Sequence, residues 1–434
     1  MIIKENTTKE KIFFSALLLA MAVRFFALGF KYFPYLDDYI QYDVYKLYDA
    51  KYVFTYIGTI FTRPLAAVAD YFVWSHFWNN MHFALAAILI MHFLTAYLLY
   101  VSFKKLGITL GTAFFVFFAF SPVIFEGIYW ISASSRIVCG MFFAALSVYC
   151  FMKKRVLLFA VFNLISYLFY EQTMIFSLIL AIFFAYKKDK AYALIPAANA
   201  VLTALYYLIF SKSGQFADRN TISFSISNIK KLYHIAENID IASIFNFLHL
   251  NFILIAVFFS ALLCFFGKKS EYSKEKLIIG ILTVILPYLP YLFLNSVPAM
   301  RNTVLCAVGL GMIFDSVKYK KAYSMLLFFV CALFINSQLV MLSNQKKVYE
   351  TDKIICRNLA PFIEENKSYY LIGAKGSYVN ASLLNVTSSD WALTGAMRSH
   401  LNSKNIKLIV PIREDNGNKN FGKLYIDKFL KISK

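Results

Sequence analysis

The chain is a succession of long apolar runs separated by short basic loops, and nothing else in it constrains the fold as strongly. The runs fall at about 12–30, 81–103, 108–125, 136–152, 156–170, 172–186, 191–211, 247–266, 277–295, 301–317 and 322–342. A hydrocarbon core of ~30 Å takes about 20 apolar residues of helix to cross. Inside lipid every backbone N–H and C=O must be satisfied within the segment, so runs of this length are expected to be helical. Only 16% of the residues are charged and 60% are hydrophobic, whereas a soluble domain carries roughly 25% charged residues. The expected fold is an all-α polytopic membrane bundle of about eleven transmembrane helices, with the lipid bilayer as its solvent.

The basic residues support the same reading. Threaded from a cytoplasmic N-terminus, the cytoplasmic loops contain Lys104-Lys105, Lys153-Lys154-Arg155, Lys187-Lys188-Asp189-Lys190, the run from Lys268 to Lys276, and Lys318-Tyr319-Lys320-Lys321. Every tight basic cluster between runs then lies on one side, as the positive-inside rule requires. The net charge of +20 resides largely in such clusters, so no nucleic-acid partner is expected. Lys4, Lys9 and Lys11 precede the first run. Arg24 within it and the lack of a small-residue cleavage site favour a retained first span. The stretch 156–186 reads either as one long tilted helix or as a hairpin turning at Tyr170-Glu171-Gln172. The hairpin keeps the charge rule and is preferred. The protein is thus expected in the cell (plasma) membrane, with its C-terminus extracytoplasmic.

The external side then receives 31–80, the loop near 126–135, the turn at 170–172, the loop 212–246, the loop near 295–301 and the tail 343–434. Residues 38–60 and 64–78 mix apolar and polar positions around a break at Arg63-Pro64, so this first external loop should hold two surface helices. In the tail, Tyr369-Tyr370-Leu371-Ile372-Gly373 and Ile406-Lys407-Leu408-Ile409-Val410 read as strands and 352–365 as a helix. Two domains are expected, a transmembrane domain over 1–342 and a small external α/β domain over 343–434. The six cysteines show no metal-type spacing, and five lie in apolar runs. A disulfide framework is not expected.

Carboxylates and arginines cost most near lipid, so those at span ends should face an aqueous pocket or a partner. On this topology Asp37, Asp38, Arg63, Asp70, Glu126, Arg136, Glu171, His234 and Arg301 share the external side. Asp37 and Asp38 can act as a general base or hold a divalent cation through oxygen, or one can cap the following helix. Arg63, Arg136 and Arg301 suit an anion such as phosphate, or can meet lipid headgroups. Glu126-Gly127-Ile128-Tyr129-Trp130, followed by Ser134-Ser135-Arg136, has the acid, hydroxyl and indole content of a sugar-binding lining, or of an interface belt. Glu171 and Gln172 at their turn join the site or simply mark the membrane surface. His234 reads as a solvated loop residue. A Gly-rich phosphate loop, a His-Glu-x-x-His motif, a Gly-x-Ser-x-Gly motif and a Cys-x-x-Cys motif are all missing, which disfavours a nucleotide-driven pump and a zinc protease.

On these residues the chain resembles the GT-C class of membrane glycosyltransferases, and within it the O-antigen glucosyltransferase domain family. The resemblance rests on Asp37-Asp38 after the first span, Arg63-Pro64-Leu65, and the acidic turn Tyr170-Glu171-Gln172, over an architecture covering about 12–342. It implies a sugar donor carried on a polyprenyl phosphate and an extracytoplasmic glycan or cell-envelope acceptor. It also implies Asp37 or Asp38 as base and Arg63, Arg136 or Arg301 at the donor phosphate, while Glu126, Trp130, Glu171 and Gln172 are candidates for the sugar or acceptor by residue type and position. Some members of the class use a divalent metal; this sequence neither requires nor names one. Two other classes stay open, a flippase or transporter of lipid-linked oligosaccharide drawing on Arg24 and Asp315, and a polysaccharide polymerase or ligase.

Overall fold

The computed structural model describes residues 8–186, 189–210, 230, 245–246, 249–267, 272–293, 299–317, 321–379, 383–414 and 421–433. Each apolar run contains helix. In chain order the helices are α1 (Thr8–Leu28), α2 (Thr59–Thr62), α3 (Pro64–Phe72), α4 (Met81–Lys105), α5 (Thr112–Phe120), α6 (Phe125–Tyr129), α7 (Ile131–Met152), α8 (Val156–Phe169), α9 (Gln172–Tyr186), α10 (Lys190–Phe210), α11 (Leu250–Phe266), α12 (Lys274–Ile285), α13 (Val304–Phe314), α14 (Lys321–Leu359) and α15 (Asp390–Leu401). Among the described residues, five helical stretches are long and apolar enough to cross a membrane. A sixth is added if the bent pair α5 and α6 counts as one span. Four more apolar helices are 10–17 residues long. These lengths support a membrane protein with several crossings and do not carry the full count of eleven.

Large apolar side chains on the helices remain uncovered. Leu157 is 75% exposed, Leu208 70% and Phe265 79%, which fits a lipid-facing surface. The chain divides into two compact units. The first comprises 1–30, 55–67 and 85–340, and the second 31–54, 68–84 and 341–434.

In the first unit, aromatic packing dominates the core, with Phe14 set edge-on to Phe115 and Tyr97 and Phe114, Phe118 and Leu305 fully buried. The stretch 156–186 is two helices. α8 ends at Tyr170, whose extended backbone (φ −152°, ψ 113°) stops it. α12 and α13 cross at two glycines. A Cβ on Gly309 would lie 2.5 Å from the Gly280 carbonyl oxygen, so small residues let the backbones touch. At the same end Lys276 and Asp315, both fully buried, pair at 2.9 Å. Asp315 Oδ2 also accepts from Gly111 N at 2.6 Å, and Lys276 Nζ donates to Thr109 O at 3.0 Å. Asp315, one of two charges available to a transporter, is thus neutralised in place. The Arg24 side chain lies outside the described residues.

The span over 108–125 is broken. α5 and the helical stretch from Pro122 to Tyr129 meet at 43°, because Pro122 has no N–H to continue the ladder. Side chains meet the carbonyls around the break. His92 Nε2 lies 3.0 Å from Phe118 O, and Thr303 Oγ1 donates to Val123 O at 2.5 Å. Gln338 Nε2 reaches Ala119 O and Ser121 O at 3.5 Å each. Tyr129 Oη in turn donates to Gln338 Oε1 at 2.9 Å. The break turns the chain so that α6 presents Glu126 and leads to Trp130.

The second unit contains a four-stranded sheet in the order β2-β1-β3-β4. β1 (Tyr369–Ile372) is central, parallel to β2 (Ile409–Ile412) on one side and to β3 (Gly422–Ile426) on the other. β4 (Ile432–Ser433) is antiparallel to β3. The expected strand at 369–373 is present. The strand expected at 406–410 is regular over Ile409–Ile412, and Tyr369 N donates to Leu408 O just ahead of it. The helix expected over 352–365 is not separate: α14 runs unbroken from the last apolar run to Leu359. At ~1.5 Å per residue its 39 residues extend about 58 Å, well beyond ~30 Å of hydrocarbon. Its apolar run ends before Asn344, so the polar part beyond is not needed for a crossing.

The expected surface helix over 38–60 is also absent as a regular helix. A wide π-helical turn over Tyr39–Val44 is followed by a 3₁₀ turn over Tyr45–Leu47, and a second π turn covers Tyr52–Tyr56. Tyr48 is extended (φ −117°, ψ 156°), and Gly58 is left-handed (φ 80°). The second surface helix is α3, opened by Pro64 at its first position and continued as a 3₁₀ stretch over Trp74–Asn80.

Candidate functional site

The residues singled out in the sequence fall into two groups, one in each unit.

In the second unit, Asp37 and Asp38 follow a tight turn. Asp38 N donates to Tyr35 O at 3.0 Å, and Asp38 Oδ2 accepts from Tyr35 N at 2.9 Å and from Tyr32 Oη at 2.5 Å. Leu36, inside the turn, has φ +40°, a left-handed conformation costing a branched residue about 1–2 kcal/mol. The turn bonds and the burial of Leu36 (5% exposed) hold it there. Asp38 is fully buried and makes no side-chain cap to the helical turn after it. Its carboxylate reaches backward instead, to Tyr32 and Tyr35. Asp37 is half-buried. The two carboxylates are therefore differentiated, one held in the core of the turn and one at its surface. Asp70, 4% exposed, accepts from Tyr42 Oη at 3.2 Å, which ties the segment 68–84 to the π turn.

In the first unit, Arg63 meets Glu171 at two points. Arg63 Nε donates to Oε2 at 2.8 Å and Nη2 to Oε1 at 2.6 Å. Burial by itself would raise the Glu171 carboxyl, but Arg63 overrides it and, with a smaller contribution from Arg136, holds the group below its ordinary value. Arg63 is placed by the break before Pro64. The segment ahead of it is pinned to α10, with Tyr206 Oη donating to Ile60 O at 2.6 Å and Phe61 stacked on Phe210.

Beside this pair runs a chain of neutral polar groups. Tyr170 Oη donates to Gln172 Oε1 at 2.7 Å, Gln172 Nε2 to Tyr291 Oη at 3.3 Å, and Asn302 Nδ2 to Tyr291 Oη. Asn302 stands next to Arg301. The Arg301 guanidinium lies 5.1 Å from the centre of the Trp130 ring, a cation–π distance. Arg301 N donates to Glu126 Oε2 at 3.3 Å. Gly127 permits this approach, since a Cβ there would lie 2.5 Å from Val304 Cγ2 and 3.3 Å from Arg301 O. The structure thus brings Arg63 together with Glu171 and Gln172, and Glu126 and Trp130 together with Arg301. Arg136 sits within electrostatic reach of Glu171.

Several members of these groups were not legible as site residues. Tyr32 and Tyr35 hold Asp38, and Tyr291 and Asn302 join Gln172 to Arg301. The one available signal was Leu286-Pro287-Tyr288-Leu289-Pro290-Tyr291, whose two prolines break a helix and fix a 3₁₀ stretch. His234 lies outside the described residues. Among the described residues, no three or more of His, Cys, Asp and Glu are grouped as a metal site, and Asp38 already spends Oδ2 on Tyr32 and Tyr35. The acidic pair is a poor cation cage.

Three arginines, two acids, an indole and several amide and phenol groups at helix ends can bind an anion and hydroxyl groups together. Compared with protein-family models, with curated proteins and with solved structures, the chain matches none.

Proposed function

We propose that the protein is a membrane glycosyltransferase that moves a sugar from a polyprenyl-phosphate carrier to an extracytoplasmic glycan or cell-envelope acceptor. The observation that carries the reading is the first unit's cluster, in which Arg63–Glu171, Gln172–Tyr291–Asn302 and Arg301–Trp130 lie side by side at the ends of apolar helices. A lipid-linked sugar phosphate needs both features, apolar helices for the prenyl chain and guanidinium groups for the phosphate.

The reaction is a displacement at the anomeric carbon. The acceptor hydroxyl loses its proton to a carboxylate and its oxygen bonds to the carbon. The bond from carbon to the phosphate oxygen breaks, and the lipid phosphate leaves with the electron pair. Arg136 and Arg301 stabilise that developing charge. Arg63 is engaged by Glu171, which fixes its fork. Trp130 backs the Arg301 guanidinium, and Gln172 and Asn302 hold the Tyr291 hydroxyl beside it. Asp37 is assigned as base, because Asp38 is buried and bonded to Tyr32 and Tyr35.

Binding of polyprenyl monophosphate to the purified chain in nanodiscs tests the donor half. Arg136→Ala and Arg301→Ala should each weaken it at least about tenfold, as expected for loss of a charge-assisted contact. Unchanged affinity in both variants would remove the phosphate clamp from the reading.

A further inference from the structure

Within the second unit, an unbroken run of contacts joins the polar part of α14 to the turn that carries Asp37 and Asp38. Asp352 lies on the polar part of α14 and is 1% exposed. Its Oδ1 accepts from Asn385 Nδ2 at 2.8 Å and from Val386 N at 3.1 Å. The preceding residue, Leu384, donates its N–H to Tyr35 Oη at 2.9 Å. Tyr35 N then donates to Asp38 Oδ2 at 2.9 Å. Asn385 is itself fixed, with its N–H on Gly376 O at 2.9 Å and its Oδ1 accepting from Tyr378 N at 2.8 Å. Residues 384–386 therefore form a bridge from α14 to the acidic turn.

The other oxygen of Asp352, Oδ2, is buried and meets no hydrogen-bond donor among the described residues. A carboxylate with one unmatched oxygen is a poor anion. Burial pushes this carboxyl up to about 7, against the pull of Asn385 and Val386. The titratable groups in its field are Tyr39 from the π turn and Cys356 from its own helix, and Tyr39 in turn feels Tyr349 and Asp38. None of these four supplies positive charge. Lys353, next to it on α14, is directed over the Tyr349 ring.

We propose that Asp352 is a positioning residue for the Asp37–Asp38 turn, acting through Leu384–Val386 and Tyr35, and that its neutral form holds the turn more firmly than its ionised form. Ionisation creates a buried charge beside Tyr39 and Cys356. Relief comes from water entering at Oδ2 or from movement of the bridge, and either weakens the Leu384–Tyr35 bond. The catalytic importance of the turn rests on the function proposed above. The coupling itself does not, and it is measurable without any substrate.

Amide hydrogen exchange on the full chain in lipid nanodiscs, corrected for intrinsic pH dependence, reads the coupling at pH 6 and pH 8. In the unmodified protein, protection over 33–40 should fall about tenfold across that interval, the linkage expected of one proton crossing its pKa. Asp352→Asn keeps the accepting oxygen and removes the titration, so its protection should stay flat. Tyr35→Phe cuts the bridge, so 383–387 should keep the pH response while 33–40 loses it. A pH response over 33–40 that is absent in the unmodified chain, or unchanged in either variant, overturns the proposal. Loss of glycosyl transfer with the coupling intact would instead count against the function.

Discussion

Arg63 and Glu171, 108 residues apart in the chain, form a two-point ion pair with both N···O distances under 3 Å. Each side chain is about a third exposed, so solvent screening limits the pair's contribution to stability to about 1 kcal/mol. Its larger effect is geometric. Arg63→Lys should reduce transfer about tenfold while lowering the melting temperature by no more than a few degrees, because an ammonium cannot make two parallel bonds. The held-down carboxyl of Glu171 gives the pH sign: the pair is intact above the ordinary glutamate range and is lost as pH falls through the depressed value. Thermal melting of the variant beside transfer rates separates the two effects.

Lys276 and Asp315 form the opposite case, an ion pair with no exposure at all. Removing one partner leaves the other buried and uncompensated, at a cost of about 3–5 kcal/mol. Lys276→Met should therefore lower the denaturation midpoint sharply, and Lys276→Met with Asp315→Leu should recover most of the loss. Equal losses in the single and double variants would mean that the pair is not what joins residues 109–111 to α12 and α13.

In the second unit, α15 touches the π turn at Gly395, where a Cβ would lie 2.3 Å from Ile40 Cγ1. Gly395→Ala should destabilise the unit by about 1–3 kcal/mol, the usual range for overpacking. Adding Ile40→Ala should return part of it. Limited proteolysis of the tail across this double-mutant cycle measures the recovery.

Asp352 sets a pH dependence of stability. Its carboxyl is raised to about 7 from an ordinary value near ~4. Between those values the folded chain holds a proton that the unfolded chain has released, so stability falls as pH rises through that window. The loss is on the order of a few kcal/mol over the window, and above pH ~7 it levels off. Asp352→Asn should flatten this part of the curve in denaturation followed from pH 5 to pH 8.

The helical runs were legible because lipid leaves a long apolar segment few other conformations, and the Tyr170 break was legible from the charge on either side of it. The irregular parts were not. The π turns over 39–56 arise from tertiary contacts such as Ser399 with Asp43 and Tyr42 with Asp70, which no local propensity encodes. β3 and β4 went unread because Gly422 and the short Ile432–Ser433 pair lack strand alternation. The acids and arginines of the site were visible as charges near lipid, yet the partition between Asp37 and Asp38 depends on Tyr32 and Tyr35. Their hydroxyl and amide contacts follow from a left-handed Leu36 that the sequence gives no reason to expect.

Sugar transfer from a polyprenyl phosphate with Asp37 as base is directly measurable. The direct measurement uses the purified chain in lipid nanodiscs, a panel of radiolabelled polyprenyl-phosphate hexoses and isolated cell-envelope glycan, and follows label into the glycan. The expected result is transfer by the unmodified protein, a loss of at least about a thousandfold in Asp37→Asn, and a smaller loss in Asp38→Asn with the fold retained. Full transfer by Asp37→Asn would contradict it, as would label crossing a vesicle membrane with none entering the glycan.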